Sequence, residues 1–209
     1  MPTEKILLLG ASGHAKVVLD ALLAGGRTRS DIEVVDDAPQ LQGRDYFDDP
    51  ILAREAATAG LFHVGIGVGR VREVPFRELA AAGRVPFTVL HPAAVVSRFA
   101  AVGAGSFVAA LAVVGPAVRL GESVIVNHGA VVDHDCVVGA FTHIAPHATL
   151  GGAVHIGRRV MVGAGANVLP NVRVGDDSTI GAGAVVTRDV PSGAIWVGVP
   201  AAPLSRKPK

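Results

Sequence analysis

VVDHDCVVGAFTHIAPHATLGGAVHIGRRVMVGAGANV, residues 131–168, decides the fold of this 209-residue chain. Within it Val132, Val138, Ile144, Leu150, Ile156, Val162 and Val168 recur at every sixth position. The step runs on toward the N-terminus through Val126, Leu120, Val114, Val108 and Val102, with Leu90 and Val96 extending it further back. Toward the C-terminus it continues through Val174, Ile180 and Val186. Four residues after the aliphatic positions stand small or β-branched residues, among them Ser106, Ala112, Ala130, Cys136, Thr142, Ala148, Ala166 and Ser178. Glycine often follows the aliphatic residue directly, as at Gly103, Gly121, Gly139 and Gly157.

A period of six cannot keep residues on one face of a 3.6-residue helix. A flat sandwich would instead space its turns roughly 8–12 residues apart. Each hexad therefore reads as one short strand and one tight corner, with the aliphatic residue inward, the small residue inside the corner and glycine relaxing the turn. Three hexads close a triangular coil of 18 residues, and stacked coils bury a continuous aliphatic ladder, which is a parallel β-helix.

The first 85 or so residues break this pattern. KILLLG (5–10) is a buried-strand run, ASGHAK a turn, and Val17 to Ala24 a helix ending at Gly25-Gly26. A second strand covers Glu33 to Asp37, a third Phe62 to Gly69, and an amphipathic helix follows from about Arg70 to Ala82. The expected organisation is a small α/β domain of Rossmann-like βαβ type over 1–85, then the β-helix with a C-terminal tail over 86–209. The boundary is expected near Arg84-Val85-Pro86, or at the latest at His91-Pro92.

Nineteen basic residues face eighteen acidic ones, a net charge of +1, which gives no reason to expect nucleic acid or an anionic membrane as partner. The single cysteine, Cys136, excludes an internal disulfide and a cysteine-rich zinc site, and its inward repeat position reads as core. The apolar run at the N-terminus is too short for a signal peptide, and no run of about eighteen apolar residues occurs. A soluble, cytoplasmic protein is expected.

Two groups of residues could carry chemistry. Gly10-Ala11-Ser12-Gly13-His14 joins the first strand to the first helix, where free backbone N–H groups suit a phosphate. Asp36-Asp37 ends the next strand, where an acid often meets a ribose or base. The alternative is a structural turn beside a solvated acidic one. The second group is Asn127, His128, His134, Asp135, His143, His147 and His155 inside the repeat. His134 follows Val132 by two and points away from the ladder, with Gly152 one coil further on. A histidine over an accessible glycine N–H could form a base and oxyanion-donor pair, with Asp135 holding the imidazole tautomer. A surface histidine in a solvated turn is the plain alternative. His128, His134, His143 and His147 also supply enough ligands for a zinc site, a distant reading that would make the chain a metal-dependent hydratase.

The hexads resemble the left-handed β-helix acyltransferases. More narrowly, the chain resembles the bacterial nucleotide-sugar N-acetyltransferases grouped with the sialic-acid O-acetyltransferases. The likeness lies in GASGHAKVV (10–18), Asp36-Asp37, VVDHDCVVG (131–139), THIAPHATLGGAVHIG (142–157) and WVGVPA (196–201). The resemblance implies the left hand of the coil, which the usual crossover rule would not. It also implies a homotrimer with active sites between neighbouring β-helices, acetyl-CoA as co-substrate and no metal. Gly10, Ser12, Gly13, His14, Asp36 and Asp37 would hold the UDP or GDP of a 4-amino-4,6-dideoxy sugar. His134 would be the general base, oriented by Asp135, which stands where some relatives have Glu. Gly152 would face the thioester oxygen, and Asn127 and His143 would line the substrate and acetyl group. Acetyl-CoA would run past Ala164 and Ala182 toward Pro200 in the closing segment. O-Acetylation of a sugar such as sialic acid uses the same base and stays open. Arg206-Lys207-Pro208-Lys209 could attract CoA phosphates, although a solvated tail is the simpler expectation.

Overall fold

The computed structural model describes residues 4–204; the basic stretch at 206–209 lies outside the described residues. The N-terminal unit comprises β1 (Ile6–Leu9), α1 (Gly13–Ala24), β2 (Ile32–Val35), β3 (Leu61–Val64), α2 (Gly69–Ala81) and β4 (Val85–Pro86). Its sheet is parallel, in the order β2-β1-β3-β4. All four residues of β1 and of β2 are buried, as expected of strands covered on both faces. The expected turn ASGHAK divides in two: Ser12 caps the helix and Gly13–Lys16 already form its first turn. A helix can accept glycine there because its N–H has no intrahelical partner in any case.

Strand order reverses between β1 and β3, so a crevice is expected beyond their carboxyl ends. Gly10 and Gly65 close those ends, donating to Val35 O at 2.7 Å and Leu9 O at 2.7 Å. A Cβ on Gly65 would lie 2.9 Å from that of Ala15, so the start of α1 packs directly on the end of β3.

From Val89 the chain winds into a β-solenoid with three ladders of seven, six and five parallel strands. The first ladder also takes one antiparallel closing strand, Ala202–Pro203, which makes an eight-stranded face. Register partners stand 18 residues apart, as Ile125↔His143, Val131↔Thr149 and Arg119↔Val137. The eight-stranded face turns through a first corner into the six-stranded face. A second corner leads to the five-stranded face, and a third returns the chain to the start.

Every ladder residue from Val108 to Val186 is buried. The backward extension is less buried: Val96 is half-buried and packs against this core, and Leu90 is 45% exposed at the open end of the coil. The buried corner hydroxyls bond to backbone: Ser106 donates to Gly121 O at 3.1 Å, Thr142 to Gly157 O at 2.7 Å and Ser178 to Pro191 O at 2.8 Å. Glycine's expected role in relaxing the turn is corrected. The left-handed residue is the third after each aliphatic one, and mostly not glycine, as at Leu111, Ala117, Ser123, Asp135 and Phe141. The glycine directly after the aliphatic residue instead permits close stacking; a Cβ on Gly121 would meet Ala140 N at 2.7 Å.

The N-terminal unit docks on the eight-stranded face. Outward-facing Val89, Phe107 and Ile125 share one core with β1, β2 and α1, including Leu8, Val18, Leu22 and Val34. Phe141, at the third corner, packs edge-on against Phe76 of α2, which in turn packs on Phe62 of β3. No helix among the described residues is long and apolar enough to cross a membrane.

Candidate active site

The second corner holds His134, Asp135 and Gly152. Asp135 has φ +60°, a left-handed conformation that aspartate tolerates better than most residues. This turn brings its carboxylate 2.8 Å from Nδ1 of His134. Nδ1 therefore carries the proton and Nε2 keeps the lone pair. The imidazole lies over Gly152, where a Cβ would stand 2.5 Å from Nε2 and Cε1. The same column of the corner carries Pro116 and Pro170, one coil to either side, which have no N–H. The Gly152 N–H donates to no group among the described residues. The hydrogen bond from Asp135, and secondly the nearby Asp133, raise the His134 pKa above its ordinary value.

Asn127 and His143 lie elsewhere, at the first corner and on the eight-stranded face. Asn127 Nδ2 meets His143 Nε2 at 3.1 Å, and its Oδ1 accepts from the His128 N–H at 2.8 Å. Ala164 and Ala182 follow along the same corner, both exposed, and exposed Pro200 closes the column. The candidate residues of one chain thus fall into two separate groups. The four histidines weighed as metal ligands are divided between them: His128 and His147 at the first corner, His143 on the face, His134 at the second corner. Among the described residues no group of three or more His, Cys, Asp or Glu is placed to hold a metal ion.

At the N-terminal turn, Ser12 and Gly13 open α1, whose first turn carries no acid to oppose an anion. Asp36 ties the turn together, accepting from Ala11 N at 2.8 Å and Ala38 N at 2.9 Å. Asp37 is engaged by Arg54, which also pairs with Glu78. Its carboxylate is therefore less free for a ribose than its position at a strand end suggests. Buried Tyr46 donates its hydroxyl to Ser12 O at 3.2 Å, and burial raises its pKa to about 12. Beside it the exposed Phe47 ring packs edge-on to Tyr46 and lies 5.7 Å from Lys16 Nζ. These two aromatics fall in a loop without periodicity, so nothing in the sequence singles them out.

Between the units lie His14, His63, His143 and Arg72. His14 approaches His143 with ring centroids 5.9 Å apart and packs edge-on to Phe107. Burial, and then neighbouring His143, lower the pKa of His14 to about 3; burial also lowers His63 and His143 to about 4. Arg72 is buried with no carboxylate among its hydrogen-bond partners, and its pKa falls to about 9. His63 and Arg72 escape the sequence reading. The histidine in the buried run FHVG was a signal, whereas an arginine in an amphipathic helix ordinarily faces water.

Residues 5–79 match the family described as the PglD N-terminal domain, and residues 153–188 match the bacterial transferase hexapeptide repeat. The chain is similar to GDP-perosamine N-acetyltransferase from Caulobacter crescentus, at 34% identity over 98% of this chain and 99% of that one, with a TM-score of 0.91. That protein has been solved in complex with CoA and GDP-perosamine. It is also similar to the acetyltransferase domain of PglB from Neisseria gonorrhoeae, at 37% identity over 97% and 100% of the two chains and a TM-score of 0.89. A form of that domain is complexed with acetyl coenzyme A. A protein of Schizosaccharomyces pombe named as an acetyltransferase is 54% identical over 39 residues, and the matched stretch spans only 19% of each chain.

Proposed function

We propose, for a chain that belongs to the hexapeptide-repeat sugar N-acetyltransferases with a PglD-type N-terminal domain, that it acetylates the amino group of a nucleotide-linked 4-amino-4,6-dideoxy sugar. Acetyl-CoA is the co-substrate, as in the relatives solved with CoA or acetyl-CoA. The relative that binds GDP-perosamine favours GDP over UDP as the carrier.

The observation that carries the mechanism is the stacking of His134 on Gly152 with Asp135 at Nδ1. The sugar amine attacks the thioester carbonyl, forming the new C–N bond as Nε2 of His134 takes the amine proton. The carbonyl electron pair moves onto oxygen, where the Gly152 N–H stabilises it. Such donors are worth roughly 3–4 kcal/mol in other enzymes. The oxyanion then collapses, breaking the C–S bond, and the leaving CoA thiolate accepts the proton from the imidazolium. Holding both substrates in one cleft supplies the remaining advantage.

The separation of the two groups supports a homotrimer in which they are half-sites and the second corner of one chain faces the first corner of a neighbour. His134 and Gly152 would then act on an acetyl group lying against Asn127, His143, Ala164, Ala182 and Pro200 of the adjacent copy. In the N-terminal unit, Gly10, Ser12, Gly13 and His14 offer the first-turn amides of α1 to the diphosphate. Asp36 keeps that turn in shape, and Phe47 with Lys16 offers a ring and a cation for base and phosphate. A supply of acetyl-CoA and nucleotide sugar fits the cytoplasm.

A thiol-release assay with acetyl-CoA against GDP- and UDP-linked 4-amino-4,6-dideoxy sugars, beside free sialic acid, tests the proposal. Turnover on one nucleotide amino sugar, lost in His134→Ala, is the expected result. Turnover on hydroxyl acceptors alone would replace it with O-acetylation.

A further inference from the structure

Arg72 is a buried cation without a counter-ion among the described residues. Nη1 donates to Ile66 O at 2.7 Å and Gly67 O at 2.8 Å, both in the N-terminal unit. Nη2 donates to Ser123 O at 3.0 Å, Phe141 O at 2.9 Å and Thr142 O at 3.3 Å, all in the solenoid. Nε donates to Ser123 O and Oγ at 3.2 and 3.1 Å. Desolvating a cation carries a large cost, and an apolar side chain would fill the same space without it. A role in the site gives the charge a reason to be there.

Gly67 O has a second donor, Nδ1 of His143, at 3.0 Å. A carbonyl accepts only, so Nδ1 carries the proton and Nε2 is an acceptor. Nε2 faces Asn127 Nδ2, while Asn127 Oδ1 accepts from the His128 N–H. The amide thus has one orientation, and its second Nδ2–H has no partner among the described residues. The groups facing His143 are His14 on α1, Arg72 on α2 and Asn127 on the solenoid, with His63 on β3 behind His14. None is an acid; only the Gly67 carbonyl favours the imidazolium, and burial outweighs it. Burial, and secondly Arg72, hold His143 neutral. An imidazolium would donate at Nε2, turn the Asn127 amide over and replace the donor by an oxygen.

We propose that Arg72 is a positioning residue: through the Gly67 carbonyl it fixes His143 as the neutral Nδ1–H tautomer, so that Asn127 presents a constant N–H donor to an acceptor atom of the bound substrates. The kinetic part of this inference rests on the acetyltransferase reading; the tautomer does not.

Nitrogen-15 NMR of histidine-labelled protein, wild type beside Arg72→Gln and Arg72→Lys, reads the His143 tautomer and its titration directly. Wild-type His143 is expected to remain Nδ1–H and neutral from pH 8 to about 5. Arg72→Gln is expected to show mixed tautomers and protonation at higher pH. Its kcat/KM on the best substrate should fall by about tenfold to a hundredfold, the scale of a misplaced group, with the loss steepest on the acid side. Arg72→Lys keeps the charge but has three rotatable donors on one nitrogen in place of the planar fork, so it should restore the titration and only part of the rate. A folded Arg72→Gln with a wild-type His143 tautomer and titration overturns the proposal. If Arg72→Gln fails to fold, Arg72→Lys with an unchanged His143 tautomer and unchanged kcat/KM overturns it. Silence with every sugar substrate would defeat the acetyltransferase reading, while the NMR result would still decide the tautomer.

Discussion

Nε2 of His134 lies so close over Gly152 that a single methyl group at residue 152 would stand 2.5 Å from it. The contact stacks the imidazole of one residue on the backbone of another, across successive coils of the solenoid.

Gly152→Ala is therefore expected to push the imidazole aside without disturbing the aliphatic ladder. Activity should fall by about 10²–10⁴-fold, as when a general base is displaced, while the thermal midpoint stays near wild type. Steady-state kinetics beside a melting curve checks this. A fully active Gly152→Ala would separate the contact from catalysis.

Asp135→Asn keeps an acceptor at Nδ1 but removes the charge. Asp135 and Asp133 raise the His134 pKa, and a base works only when neutral, so wild-type activity should be lost as pH falls through that raised value. In the variant the acid limb of kcat/KM should move to lower pH. Its plateau should drop by less than the ~10²–10⁴-fold expected for removing the base itself. An acid limb that does not move would assign it to another group.

Mixed oligomers test the shared site. His134→Ala and Asn127→Ala damage different half-sites, so each alone should be inactive. Co-refolded in equal amounts, they should regain up to about a quarter of wild-type activity, because a random closed ring forms intact pairs at that frequency. No recovery, with mixing verified by mass spectrometry, would place both half-sites' work within one chain.

Acid should destabilise the fold through the buried histidines. His14, His63 and His143 have pKa values of about 3, 4 and 4 in the folded chain, against an ordinary 6.5. Between pH 6.5 and about 4 the unfolded chain binds protons that the folded one refuses. Stability then falls as pH drops, by at most about 1.4 kcal/mol per pH unit for each histidine. Urea unfolding at a series of pH values measures the slope, and His14→Gln should remove one proton from it.

Much of this was legible from residues alone. A repeat in which Val132, Ile144 and Leu150 must all face inward has one solution, and the small residues Ala148 and Cys136 had only the corner interiors left to fill. His134, Asp135 and Gly152 were equally open to reading, because a rigid period of 18 converts sequence distance into stacking. The sequence was silent where contacts join distant segments with no period between them. Phe47 and Tyr46 sit in an irregular loop, and Arg72 reads as an ordinary surface residue of α2.

By itself, then, the sequence determined the solenoid, its register and the stacking of His134 on Gly152, since local repetition leaves the chain no freedom there. Only the tertiary structure decided that the N-terminal unit docks on the eight-stranded face, that Arg72 is buried between the two units, and that His143 of the solenoid meets the Gly67 carbonyl. Those outcomes depend on how two separately folded surfaces meet, and no short-range pattern encodes that meeting.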